Sequence, residues 1–237
     1  MVPLFRPSPF QFARTRPLRL LVYREARLAL RERILEVGAG EGAVAEEMAA
    51  RTGKRVVALD LWPPASPPPG VCFVRGDGHH LPFLPKTFDA VAFHFVLLWL
   101  ARPVAALREA RRVLRPGGVL LLLAEPDLTR REDEPDTGLG WALLRAVEGA
   151  EGHGDAGTRA EGWLREAGFV SLLRWSEPTW ISLGDPRETE AEVQALEEAG
   201  VLSVAEAHRI RAAEREASAV GSRRVRLPLV YGWARPR

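Results

Sequence analysis

Three glycines at alternate positions, Gly38, Gly40 and Gly42, lie in the stretch LEVGAGEG, with Glu36 just ahead of them. Glycine tolerates the left-handed backbone of a tight turn and lets a ligand approach the main chain closely. The free N–H groups of a helix starting behind such a turn can hold an anion. The spacing is G-x-G-x-G, not the G-x-G-x-x-G that cradles a dinucleotide pyrophosphate. Eighteen residues beyond Gly42, Asp60 ends the run VVALD. A carboxylate there can accept hydrogen bonds from both hydroxyls of a ribose. Loop and carboxylate together would grip a nucleoside. His94, at the end of AVAFH, is a candidate general base because neutral imidazole is available near pH 7; it would equally serve as a strand-end residue bonded to a carbonyl. His79 and His80 flank Asp77 closely, yet two adjacent imidazoles without a spaced third ligand make a poor metal set, so no metal is expected. The single cysteine, Cys72, leaves no disulfide framework and no Cys-based zinc site.

Such a loop and carboxylate need strands behind them. Arg33 to Val37, Arg55 to Leu59, Val71 to Val74, Ala90 to Phe95 and Val119 to Ala124 are short, nearly continuous apolar runs. That is the pattern of parallel strands covered on both faces. Helical segments alternate with them: Ala43 to Thr52 ends at Gly53, and Pro103 to Leu114 ends before Pro116. Alternation of this kind predicts an α/β fold, a Rossmann-like open sheet with helices on both faces. One crossover breaks the pattern. Leu61 to Gly70 holds five prolines in ten residues and cannot form a helix; an extended loop is expected, with the N-terminal segment or a second subunit covering the sheet face it leaves open.

Past the fifth strand, residues 126–157 begin acidic and Arg-rich and turn amphipathic around Trp141, Leu144 and Val147. Thr158 with Glu161, and Thr189 with Glu192, have the spacing of capping boxes opening two helices. Phe169 to Trp175 and Arg224 to Ala234 read as a sixth and a last strand, with a bulge or edge at Pro228. Most of the tryptophans in this half (Trp141, Trp163, Trp175, Trp180, Trp233) are expected in the core. The chain reads as a single domain over 1–237, with an N-terminal cap (1–30), a cofactor-binding core (31–125) and helical lid inserts (126–157 and 176–221).

Composition narrows the class. Hydrophobic residues make up 46% and charged residues 27%, which excludes disorder. No apolar run is long enough for a membrane span, and Pro and Arg break the N-terminus before a signal-peptide core develops, so a cytoplasmic protein is expected. Arginine supplies 31 of 33 basic residues and asparagine is absent, a bias shared by heat-adapted proteins and GC-rich genomes. The two ends carry a charge of +6 each, against −10 in the middle. Basic ends would suit an acidic partner such as RNA, although arginines of this kind more often solvate a surface.

In order, ILEVGAGEG, VVALDL, GDGHHLPF, FDAVAFHFVLLWL and LREARRVLRPGGVLLL make the chain resemble the class I S-adenosylmethionine-dependent methyltransferases of the small-molecule, quinone C-methyltransferase-like type. The resemblance covers Arg33 to Glu125. It implies that Glu36, Gly38, Ala39 and Gly40 line the methionine end of the cofactor. Asp60 would hold the ribose and Leu61 would lie against the adenine, with Gly76, Asp77 and Gly78 near the adenine amino group. His94 would face the methionine moiety or the acceptor. S-adenosylhomocysteine would be the product, and the last strand would run antiparallel. Three departures stand out: the missing helix after the second strand, the apolar Val96-Leu97-Leu98-Trp99, and the lack of an Asn-Pro-Pro-Tyr-type tetrad, which argues against the branch that methylates nucleobase or glutamine nitrogens. The expected partner is a small apolar or aromatic acceptor, and the expected assembly a monomer or homodimer. The rivals are an RNA methyltransferase using the basic ends, a non-catalytic cofactor-binding regulatory subunit, and a nicotinamide-dependent dehydrogenase, which the glycine spacing disfavours.

Overall fold

The computed structural model describes residues 9–176, 179–183 and 187–237. Its main sheet is built from β1 (Ile34–Val37), β2 (Val56–Asp60), β3 (Val71–Arg75), β4 (Phe88–His94), β5 (Leu114–Pro126), β7 (Phe169–Trp175) and β10 (Leu229–Pro236). They lie in the order β3-β2-β1-β4-β5-β10-β7. β10 is antiparallel to both its neighbours, and the β3-to-β5 pairs are parallel. Chain order reverses between β1 and β4, the place where an open α/β sheet leaves a crevice at its carboxyl edge.

The side chains of β4 show how the layers are set. Val91 and Phe93 point into a cluster with α3 (Pro103–Val113) and α5 (Ala156–Glu166). Ala90 and Ala92 face the other way, into a cluster with α1 (Pro9–Glu25) and α2 (Ala43–Thr52). Large residues fill one layer, and small ones let α1 and α2 come close on the other. Burial on both faces is why these strands read as unbroken apolar runs.

The proline loop has no regular structure, as its residues dictate, and the N-terminal helix is not what lies beside it. α1 packs on β5 and β10, far along the sheet. Beside β3 lie α2 and the loop itself, with Pro68 near Gly42 and Gly70 near Ala49. The run from Arg224 to Ala234 also divides: Pro228 separates β9 (Arg224–Arg226) from β10, and the two join different sheets.

The insert is not helical throughout. β6 (Glu132–Glu134), β8 (Ile181–Ser182) and β9 form a small antiparallel sheet beside α4 (Leu139–Gly149), α6 (Arg187–Glu198) and α7 (Val204–Ala219). Buried Arg223 ties its pieces together, donating to Glu214 (2.9 Å) and Asp133 (2.5 Å). Neither proposed capping box forms. α5 begins ahead of Thr158, whose hydroxyl instead donates to Asp127 (2.5 Å), and Thr189 lies inside α6. The capping box that does form is Ser203 with Glu206, at the start of α7. Ser203→Ala is expected to cost about 1 kcal/mol, read as a lower denaturation midpoint.

The tryptophans also depart from expectation. Trp163 is buried, whereas Trp141 is 68% exposed and Trp175 and Trp180 are exposed as well. Guanidinium groups cover part of this apolar surface: Arg130 stacks on Trp175, and Arg224 and Arg226 on Trp180. Cation–π stacking satisfies an indole without burying it.

Candidate active site at the carboxyl edge of the sheet

Gly38, Gly40 and Gly42 all have positive φ (70°, 54° and 87°), which curls the chain from β1 into α2. The turn leans on β2, with the N–H groups of Gly38 and Ala39 donating to the carbonyl of Leu59 (2.8 and 3.1 Å). A Cβ at Gly38 would lie 2.6 Å from Cγ2 of Val96, so this position can hold no larger residue without movement.

Asp60 ends β2 facing the same turn. Its Oδ2 accepts from the N–H of Gly40 (2.8 Å), and its Oδ1 from the N–H of Trp62 (2.9 Å). Each carboxylate oxygen keeps a lone pair for another donor. Leu61 beside it is half exposed. Beyond β3, Gly76 and Gly78 lie so close to Leu59 and Val37 that a Cβ would meet their side chains at 2.9 and 3.0 Å. Asp77 is occupied by His79, whose main-chain N–H and Nδ1 lie 2.9 and 2.7 Å from its Oδ1. Partial burial would raise the pKa of Asp77, but these bonds and the neighbouring imidazoles outweigh it and lower it. His79 thus braces its own loop, and Nε2 accepts from the N–H of Arg102 (3.3 Å). Among the described residues no group of three or more metal-type side chains is gathered.

Glu36 is 2% exposed, and its Oε2 has no hydrogen-bond partner. Burial pushes its pKa up to about 8, only partly offset by the N–H of Ala45 and the charge of Arg19. A buried carboxylate with an open oxygen is suited to a donor brought by a ligand.

His94 is also buried, and its Nε2 lies 3.0 Å from the hydroxyl of Thr15 on α1. Arg19, one turn further along and fully buried, donates from Nη1 to that hydroxyl (2.7 Å) and to the carbonyl of Phe12 (2.7 Å), and from Nη2 to Glu47 on α2 (2.7 Å). Burial, and then the nearby guanidinium, lower the pKa of His94 to about 3. A ring so tuned stays neutral at physiological pH and is a weak proton acceptor.

Sequence reasoning missed Thr15, Arg19 and Glu47. The only signal was the four-residue step from Thr15 to Arg19 on a helix that otherwise reads as basic surface. Glu125, at the end of β5, was missed as well. It is fully buried; Oε1 accepts from the N–H groups of Val96 and Leu97 (2.9 and 3.1 Å), and Oε2 has no partner. Burial raises its pKa to about 7, against the pull of these N–H bonds.

Residues 35–122 match the model of a methyltransferase domain. A demethylmenaquinone methyltransferase of Renibacterium salmoninarum is 40% identical over 96 residues, which is 38% of this chain and 40% of that protein. The enzyme of the same name from Thermobifida fusca is 28% identical over 171 residues, 64% of this chain and 72% of its own length. The matches to four further enzymes of that name span 40–49% of the length of those proteins. The Haemonchus contortus phosphoethanolamine N-methyltransferase 2, solved with S-adenosylhomocysteine, shares the fold with a TM-score of 0.57 at 16% identity, covering 93% of this chain and 53% of that one. The glycine turn, the facing carboxylate and strands β2 to β4 all fall within residues 35–122, the part of the chain that matches as a methyltransferase domain.

Proposed function

We propose that the protein transfers the methyl group of S-adenosylmethionine to a small, uncharged or aromatic acceptor at the carboxyl edge of the sheet. The cofactor supplies a sulfonium-activated methyl group, so the chain's task is alignment, which can contribute on the order of 7–11 kcal/mol. The observation that carries the reading is the open Oε2 of buried Glu36, beside a glycine turn that excludes side chains. An amino-acid ammonium is the donor this oxygen lacks. On this reading Glu36, Gly38, Ala39 and Gly40 hold the methionine end and Asp60 the ribose. Leu61, Gly76, Asp77 and Gly78 surround the base. His94 stands at the methyl end as an uncharged hydrogen-bonding group, and where an acceptor must shed a proton, Glu125 is better tuned than His94 to take it. The inserts over residues 126–157 and 176–221 would shape the acceptor pocket.

The quinone-type relatives favour an aromatic acceptor. RNA has less support, because Arg19, Arg211, Arg223, Arg224 and Arg226 of the basic ends are held by carboxylates. Calorimetric titration with S-adenosylhomocysteine tests the cofactor site, and methyl transfer from labelled S-adenosylmethionine to a panel of phenols, quinols and RNA tests the acceptor class. No saturable binding of S-adenosylhomocysteine would end the proposal. Asp60→Asn is expected to weaken that binding about tenfold, through loss of charge-assisted hydrogen bonds; an unchanged dissociation constant would remove Asp60 from the ribose site.

A further inference from the structure

We propose that Thr15 and Arg19 are positioning residues, and that the docked helix α1 fixes the imidazole of His94 and keeps it uncharged at the methyl end of the site. The inference rests on the cofactor reading above. Thr15 and Arg19 are 2% and 0% exposed, on a helix with ample open surface for a cation. A guanidinium buried this deeply has a large desolvation cost, and here its donors are spent on one arrangement. Nη1 holds the Thr15 hydroxyl and the carbonyl of Phe12, and Nη2 anchors to Glu47 on α2. The hydroxyl so fixed meets Nε2 of His94. Three elements, α1, α2 and β4, are thereby joined through one polar chain.

Of the charged and titratable groups packed there, Arg19 acts on the ring; Tyr23 from α1, Glu36 from β1 and Glu47 from α2 lie around Arg19, and Glu125 from β5 holds the main chain just past the ring. Glu47 is committed to Arg19, and the desolvated Glu36 and Glu125 favour their protonated forms. The field at His94 is therefore set by a cation, and a second positive charge on the ring is disfavoured. This suits a site that must accept a sulfonium, since an imidazolium beside it would oppose binding. It also gives the N-terminal cap a role in the site beyond covering the sheet.

The test is the ring state of His94, read by long-range ¹H–¹⁵N NMR of the full chain. Only five histidines contribute, and His94→Gln assigns the signal. In the wild type the ring is expected to stay neutral in one tautomer from pH 8 to 5. Thr15→Val removes the hydroxyl at nearly constant volume and should let the ring exchange between tautomers, while Thr15→Ser restores the wild-type signal. Arg19→Met combined with Glu47→Gln, which leaves no buried charge unpaired, should raise the titration midpoint of His94 by about one unit or more. Titration of wild-type His94 between pH 5 and 8, a Val variant with unchanged ring signals, or a Met variant whose midpoint, followed below pH 5, equals that of the wild type, would overturn the proposal. S-adenosylhomocysteine titrated into the same samples separates the two claims: lost cofactor binding in the wild type sinks the functional reading, whereas wild-type binding with unmoved ring signals sinks this one alone.

Discussion

Gly38→Ala is expected to destabilise the protein by about 3 kcal/mol, a fall in melting temperature of roughly 9 °C, and to impair S-adenosylhomocysteine binding. Two separable causes add here. The backbone at Gly38 has φ 70°, where a Cβ costs about 1 kcal/mol or more. That Cβ would also lie 2.6 and 2.8 Å from Cγ2 and Cγ1 of Val96. Val96 cannot easily withdraw, because its N–H is held by the buried carboxylate of Glu125. Trimming the neighbour should therefore rescue part of the loss. In a double-mutant cycle with Val96→Ala, the coupling should be favourable by about 1–2 kcal/mol, with the backbone cost remaining. Strictly additive effects would show that the two residues do not compete for the same space.

Binding of S-adenosylhomocysteine should release about one proton below pH 8 and tighten close to tenfold per pH unit. The sign follows from Glu36. In the free protein burial raises its pKa to about 8, so the carboxyl holds a proton at neutral pH. An ammonium placed against the open Oε2 favours the ionised form, so binding expels that proton and is aided by higher pH. From pH 6 to 8 affinity should rise by up to about a hundredfold and then level off. The measurement is the dependence of the binding enthalpy on buffer ionisation heat, and Glu36→Gln should abolish it. Proton uptake, or release that survives in the variant, would assign the linkage elsewhere. The same shift acts on folding with the opposite trend. Between the ordinary carboxyl range and pH 8 the unfolded chain ionises Glu36 while the folded chain does not, so this residue's contribution to stability falls as pH rises.

The architecture was legible because it is written in local chemistry. Continuous apolar runs such as RILEV and AVAFHF can only be strands buried on both faces, and the glycines of VGAGEG can only bend between a strand and a helix. The proline loop after β2 was equally plain, since five prolines leave no other outcome. The sequence itself set the spacing of Gly38, Gly40 and Asp60, on which the nucleoside-binding proposal stands.

Tertiary structure decided what depends on residues distant in the chain. Thr15 and Arg19 look like an ordinary basic helix face until α1 docks on the sheet and buries both, with Thr15 against His94, 79 positions away. The same docking changes the meaning of His94, because an imidazole's protonation depends on the charges and solvent around it, and a sequence records neither. Thr158 and Thr189 have capping spacing, yet Asp127 takes the hydroxyl of one and an earlier helix start absorbs the other. Pro228 marks a break in a strand, but only the folded chain shows that its two halves join different sheets. Periodicity reports which face of an element is apolar; which polar groups meet when those faces close is fixed by packing.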